Sequence, residues 1–144
     1  MKKIFLTLGT ILLAAAMACA DNKPISIEKL PQKAQEFLKS YFADQKPTLV
    51  TQDRDFGEHD YDVTLADGTH IDFTASGEWQ EVDARGGAVP ATLVPEGVKK
   101  YVAEHYAAER IVRLERDRRS WEVKLSNGME LTFDKQCHLI DIDD

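Results

Sequence analysis

The sequence predicts an α+β fold, a tandem repeat in which one helix packs on a four-stranded antiparallel β-meander. Three observations lead there. Residues 30–83 and 94–143 follow one pattern in the same order. Each copy opens with an apolar stripe of helical period and continues with short runs of period two. Asp67-Gly68 and Asn127-Gly128 stand at the same place in each copy, between two alternating runs, where a two-residue hairpin turn is favoured. Pro31 and Pro95, like Asp53 and Asp117, are 64 residues apart, whereas Gly68 and Gly128, like Phe73 and Phe133, are 60 apart. The difference places a four-residue insertion between Asp55 and Tyr61.

Residues 1–20 read as a signal peptide. Met1-Lys2-Lys3 is cationic, an apolar run follows that is short for a bilayer span, and Ala18-Cys19-Ala20 supplies the small residues of a cleavage site. A periplasmic or secreted location is expected. Cys19 leaves an alternative open, because a cysteine after a small residue at the end of an apolar run is also where lipoproteins are cut and acylated. That reading gives a membrane-anchored lipoprotein, although Ala16 stands where a branched residue is usual. Removing the leader takes two lysines and no acid, so the formal charge moves from −7 to −9. Such a balance argues against nucleic acid and anionic membranes as partners and favours a neutral or basic one. After soluble export Cys137 is the remaining cysteine, so no internal disulfide is expected. It occupies the place of Gly77 in the first copy, within a turn, as a plain turn residue or a free surface thiol.

The first copy is expected to span residues 21–84. Leu30, Ala34, Phe37, Leu38, Tyr41 and Phe42 line one helical face, with Pro31 in the first turn, where a missing amide has no partner to lose. Strands are expected at 48–53, around Tyr61, Val63 and Leu65, around Ile71 and Phe73, and at 79–83. Residues 85–93, with Arg85-Gly86-Gly87 and Pro90, read as a linker. The second copy, 94–144, repeats the helix through Val94, Val98, Tyr101, Val102, His105 and Tyr106 behind Pro95. Its strands fall at 111–117, around Trp121, Val123 and Leu125, around Met129, Leu131 and Phe133, and at 139–143. Units this small are near the lower size limit for independent stability. The two copies are therefore expected to pack together, with outer strands joined or abutting.

These residues carry a resemblance. Leu30-Pro31, Phe37-Leu38-Lys39-Ser40-Tyr41-Phe42, Asp53-Arg54, the run from Tyr61 to Gly68, Ile71-Asp72-Phe73 and Trp79-Gln80-Glu81-Val82-Asp83 resemble the PepSY-like, or beta-lactamase-inhibitor-like, proteins exported by Bacteroides-type bacteria. Val94-Pro95, the run from Arg110 to Arg119, Trp121 to Gly128 and Phe133-Asp134-Lys135 repeat the likeness. It covers nearly all of the mature chain. It implies helix-on-sheet units, a periplasmic or surface location, and binding or inhibition as the role. It supplies no catalytic residues.

The residues themselves predict no enzyme and no cofactor. His59, His70, His105 and His138 are scattered, without the spacing of a zinc site, and neither a nucleophile motif nor a glycine-rich phosphate loop is present. Asp53, Asp55, Glu58, His59, Asp60 and Asp62 cluster around the insertion, but they do not match an EF-hand loop, so a solvated loop is expected there and no metal site. Binding is better motivated. If Tyr61, Val63, Ile71 and Phe73 point inward, alternation sends Asp62 and Asp72 outward, and if Val82 points inward, Trp79 and Glu81 point outward. Trp79, Asp62, Asp72 and Glu81 are therefore the candidate binding residues, with Trp79 as an aromatic anchor on an acidic face. The competing reading of Trp79 has the ring folded over a sheet edge or against the other copy. Arg113, Glu122, Lys124 and Glu130 would lie on the matching face of the second copy. The expected function is a non-enzymatic exported binding module for a protein or peptide partner. The alternative is an envelope-anchored structural lipoprotein without a discrete ligand. Differences between the copies, at residues 56–60, at Trp79 against Leu139 and at Asp55 against Arg119, are where function is expected to concentrate.

Overall fold

Pairing, more than propensity, decides the architecture. The computed structural model describes residues 22–55 and 58–144, and the leader with Cys19, together with Phe56 and Gly57 of the insertion, lies outside them. Among the described residues the strands are β1 (Lys23–Pro24), β2 (Pro47–Asp55), β3 (Glu58–Leu65), β4 (His70–Phe73), β5 (Trp79–Asp83), β6 (Ile111–Arg116), β7 (Ser120–Leu125), β8 (Glu130–Asp134) and β9 (Leu139–Asp143). They form one nine-stranded sheet in sequence order, every pair antiparallel. The helices α1 (Gln32–Tyr41) and α2 (Glu96–His105) lie on one face of it.

The expected fold class is therefore corrected. There are not two helix-plus-four-strand units but one mostly β molecule, because β5 pairs directly with β6 through Glu81↔Glu115, Val82↔Leu114 and Asp83↔Arg113. Val82 and Leu114 are both fully buried, so the junction belongs to the core. The strand β1, unread in the sequence, adds to the outer side of β2. The described part of the insertion, residues 58–60, is strand and not loop. It lengthens the β2–β3 hairpin, with Asp53 opposite Asp60, Arg54 opposite His59 and Asp55 opposite Glu58.

Local chemistry explains the individual elements. Pro31 and Pro95 sit at the N-caps of α1 and α2, one residue before the expected first turn, and both helices bury the predicted stripe through Ala34, Phe37 and Leu38 or Val98 and Val102. Gly68 and Gly128 have φ of 88° and 92°, which a side chain would resist, and the preceding Asp67 and Asn127 accept the amides of Thr69 and Met129 to close the hairpins. Phe37 meets Phe73 edge-on at 5.5 Å, and Tyr101 meets Phe133 at 5.4 Å. Phe73 and Phe133 are fully buried, and such a side chain contributes about 1.5–3 kcal/mol through burial alone.

Candidate functional site

Because strand side chains alternate, the face opposite the helices collects what the core rejects. Asp62 on β3 lies opposite Asp72 on β4, Asp72 opposite Glu81 on β5, Glu81 opposite Glu115 on β6, and Glu115 opposite Glu122 on β7. Five acids thus form an unbroken row across five strands. Like charges directly opposite are destabilising, so the row is maintained against its own repulsion. A second row runs alongside it: Thr64, His70, Asp83, Arg113, Lys124 and Glu130.

Cations of the second row partly neutralise the first. His70 Nε2 lies 3.0 Å from Asp72 Oδ1 and 3.8 Å from Asp62 Oδ1, while Nδ1 meets the Thr64 hydroxyl at 3.3 Å. The 3.0 Å contact is an ion pair when His70 is protonated, and it lacks hydrogen-bond alignment, Asp72 Oδ1 being buried without a hydrogen-bond partner. On the other side an Arg113 guanidinium nitrogen donates to Glu122 at 3.0 Å and Glu130 at 3.1 Å, and Lys124 reaches Glu130 at 3.5 Å. Glu81 and Glu115 stand between these clusters.

The result is a proton-sensitive face. Burial and the adjacent Asp72 push the Asp62 carboxyl up to about 7. The Asp72 contact raises His70, and burial raises Glu81 and Glu115, reinforced by Asp72 and Glu122 respectively. Burial also pushes Asp72 up, but His70 and the Asp62 carboxyl outweigh it and hold Asp72 down. Asp62 therefore keeps a proton between the unfolded value of 3.8 and about 7 that the unfolded chain has lost. Stability falls with rising pH wherever the folded state holds more protons. We expect stability to decline from about pH 4 to pH 8 by about 1 kcal/mol, the partial exposure of Asp62 being allowed for. Below pH 4 it should fall again as the lowered carboxyls of Asp72 and Asp117 take up protons. Urea unfolding across this range checks the sign. Asp62→Asn should flatten the slope, and stability rising steadily to pH 8 would contradict the assignment.

Of the four residues singled out in the sequence, Asp62, Asp72 and Glu81 are brought together on this face. Trp79 is not. A register shift between Asp72 and Phe73 places Trp79 opposite Phe73, leaving Gln80 as the extra residue and turning the indole to the helix side. There it is 9% exposed, stacked on Phe37 at 5.8 Å and 6.2 Å from Trp121, with the Arg116 guanidinium 4.1 Å above its ring. Arg113, Glu122, Lys124 and Glu130 join as one ionic cluster. His70 and Glu115 were missed. The Asp67-Gly68 hairpin register already sets His70 opposite Thr64, so His70 was accessible to sequence reasoning, whereas Glu115 gains its meaning only from the β5–β6 pairing.

Asp62, His70 and Asp72 also place ligand atoms within 4.8 Å of one another, the arrangement a metal ion would use. Two carboxylates and an imidazole are a poor set for calcium, which takes six to eight oxygens, and a better one for a borderline transition metal. Among the described residues no helix is long and apolar enough to cross a membrane.

One sheet in sequence order, two helices on one face and an acidic row on the other define the class. The chain belongs to the PepSY-like family, described as beta-lactamase-inhibitor-like, whose model matches residues 59–141. It is similar in structure to a periplasmic protein from Bacteroides vulgatus, at 42% identity and a TM-score of 0.82 over 88% of this chain and 99% of that one. A second similar structure comes from Bacteroides thetaiotaomicron and carries the provisional description of a calcium-regulated periplasmic protein. It is 40% identical with a TM-score of 0.83, over 86% of this chain and 98% of that one. A third, a periplasmic protein of unknown function from Bacteroides vulgatus, is 34% identical with a TM-score of 0.79, over 83% and 95% of the two chains. No match was found among curated proteins.

Proposed function

We propose that this protein is an exported, non-enzymatic binding module of the periplasm whose acidic sheet face receives a cationic segment of a protein or peptide. The observation that carries the reading is the row from Asp62 to Glu122, in which five carboxylates face one another across neighbouring strands. Among the described residues four basic side chains, His70, Arg85, Arg113 and Lys124, contact that face's acids. A cationic partner would relieve the remaining repulsion, so binding energy is available that the isolated protein lacks. The periplasmic descriptions of similar structures and the N-terminal leader support export. Acylation at Cys19 would tether the same module to the envelope, and the mass of the mature amino terminus distinguishes the two fates.

Fluorescence anisotropy with a lysine-rich decapeptide tests the reading. Binding should weaken with salt, and combining Asp72→Asn, Glu81→Gln and Glu115→Gln should weaken it about tenfold or more. Equal binding of a glutamate-rich peptide, or no effect of the triple substitution, would refute it. A second reading, a cation held by Asp62, His70 and Asp72, draws on the calcium-regulated description of one similar protein. Because two carboxylates and an imidazole suit a borderline transition metal better than calcium, it predicts a rise in melting temperature with zinc that exceeds any with calcium and that Asp72→Asn abolishes.

A further inference from the structure

The sheet has an internal record of what its last strand accepts. On β5 the sequence Glu81-Val82-Asp83 pairs with β4 through Val82↔Ile71, and on β9 Asp141-Ile142-Asp143 pairs with β8 through Ile142↔Leu131. The two strands thus present the same acid, branched apolar, acid triplet. The outer edge of β5 is taken by β6, which offers Arg113-Leu114-Glu115, and Val82 is fully buried there. The strand β9 ends the sheet, and Ile142 is 46% exposed. Ile140, at the place of Gln80 on β5, is 60% exposed, so two of the large apolar side chains left in solvent share this one edge. An exposed, partly apolar edge strand is a template for strand addition.

We infer that β9 accepts an extended segment of a partner protein as a tenth strand, the segment carrying an apolar residue opposite Ile142 flanked by basic residues opposite Asp141 and Asp143. Leu114 opposite Val82 and Arg113 opposite Asp83 are the model for two of those positions. A second copy of this chain fits less well. Antiparallel pairing of two β9 strands about Ile142 would set Asp141 of one copy against Asp143 of the other, with Asp144 beside them. The opposite edge of the sheet offers β1, where Pro24 lacks an amide to donate. This inference rests on the binding-module reading and gives the partner its conformation.

A fluorescent peptide with the sequence of residues 110–117 bearing Glu115→Lys is the probe. It should bind the mature protein with amide shifts concentrated at residues 139–143, and Ile142→Lys should weaken it about tenfold while leaving the melting temperature within a few degrees. A peptide with proline at the Leu114 position should not bind. Shifts confined to β3–β7 and untouched by Ile142→Lys would overturn the edge inference and leave the acidic-face reading standing. Absence of binding would overturn it, as would a concentration-dependent dimer that Ile142→Lys dissociates, which would assign the edge to a second copy.

Discussion

Trp79→Ala should cost about 3–5 kcal/mol of folding stability, lowering the melting temperature by about 10–20 °C. The indole is nearly buried, and it touches three parts of the molecule at once: Phe37 of α1, Trp121 of β7, and Arg116 of β6. Arg116 is bound to the same residue twice, since its Nε also donates to the Trp79 carbonyl at 2.7 Å. Truncation would leave a cavity where the two halves of the sheet meet, and it would strip the guanidinium of its aromatic partner while its stem stays half-buried. Trp79→Phe keeps a ring against Phe37 but loses reach toward Trp121, so about half the loss is expected. Circular dichroism during urea unfolding measures both. A shift of about 3 °C or less for the alanine variant would mean that the indole is not part of the core.

The same residue shows where sequence reasoning stops. Alternation counted back from Val82 sends Trp79 outward, and that count is sound for a regular strand. The extra residue Gln80 reverses it. Nothing in Gly77-Glu78-Trp79-Gln80 announces that shift, although it recurs at the aligned place in the β8–β9 pair, between Thr132 and Phe133. Elements with their own local signal were legible: both helical stripes, both hairpins with glycine at positive φ, and the outward Asp62, Asp72 and Glu81. What was not legible depends on pairing between distant segments. Glu81 and Glu115 are 34 residues apart, and only the β5–β6 ladder makes them neighbours and merges two expected units into one sheet. Likewise β1 is two residues long and has no periodicity to read.

Gly97→Ala should destabilise the protein by about 2 kcal/mol net, overpacking outweighing the helix propensity that alanine gains, and Cys137→Gly should restore most of that loss. Cys137, with φ of 65°, is the one residue other than glycine at positive φ among the described residues, and it sits in the β8–β9 turn directly beneath α2. A Cβ placed on Gly97 would lie 2.5 Å from the Cys137 Cβ, a rigid stem that cannot swing aside. The β4–β5 turn solves the same packing problem in the reverse sense. There the turn residue is Gly77, at φ of 88°, where a Cβ would lie 2.8 Å from the Pro31 Cβ, 3.1 Å from the Ala34 amide nitrogen and 3.2 Å from the Cβ of Lys33, the counterpart of Gly97. Each of the aligned pairs Lys33–Gly77 and Gly97–Cys137 thus carries a single Cβ, that of Lys33 under α1 and that of Cys137 under α2. Cys137→Gly alone should be nearly neutral, because relief of left-handed strain offsets the lost contact. The double variant recreates the Lys33–Gly77 arrangement, so a double-mutant cycle should give a coupling of at least about 1 kcal/mol. Additive losses would show instead that the space under α2 is set by the backbone of the turn and not by the thiol-bearing side chain.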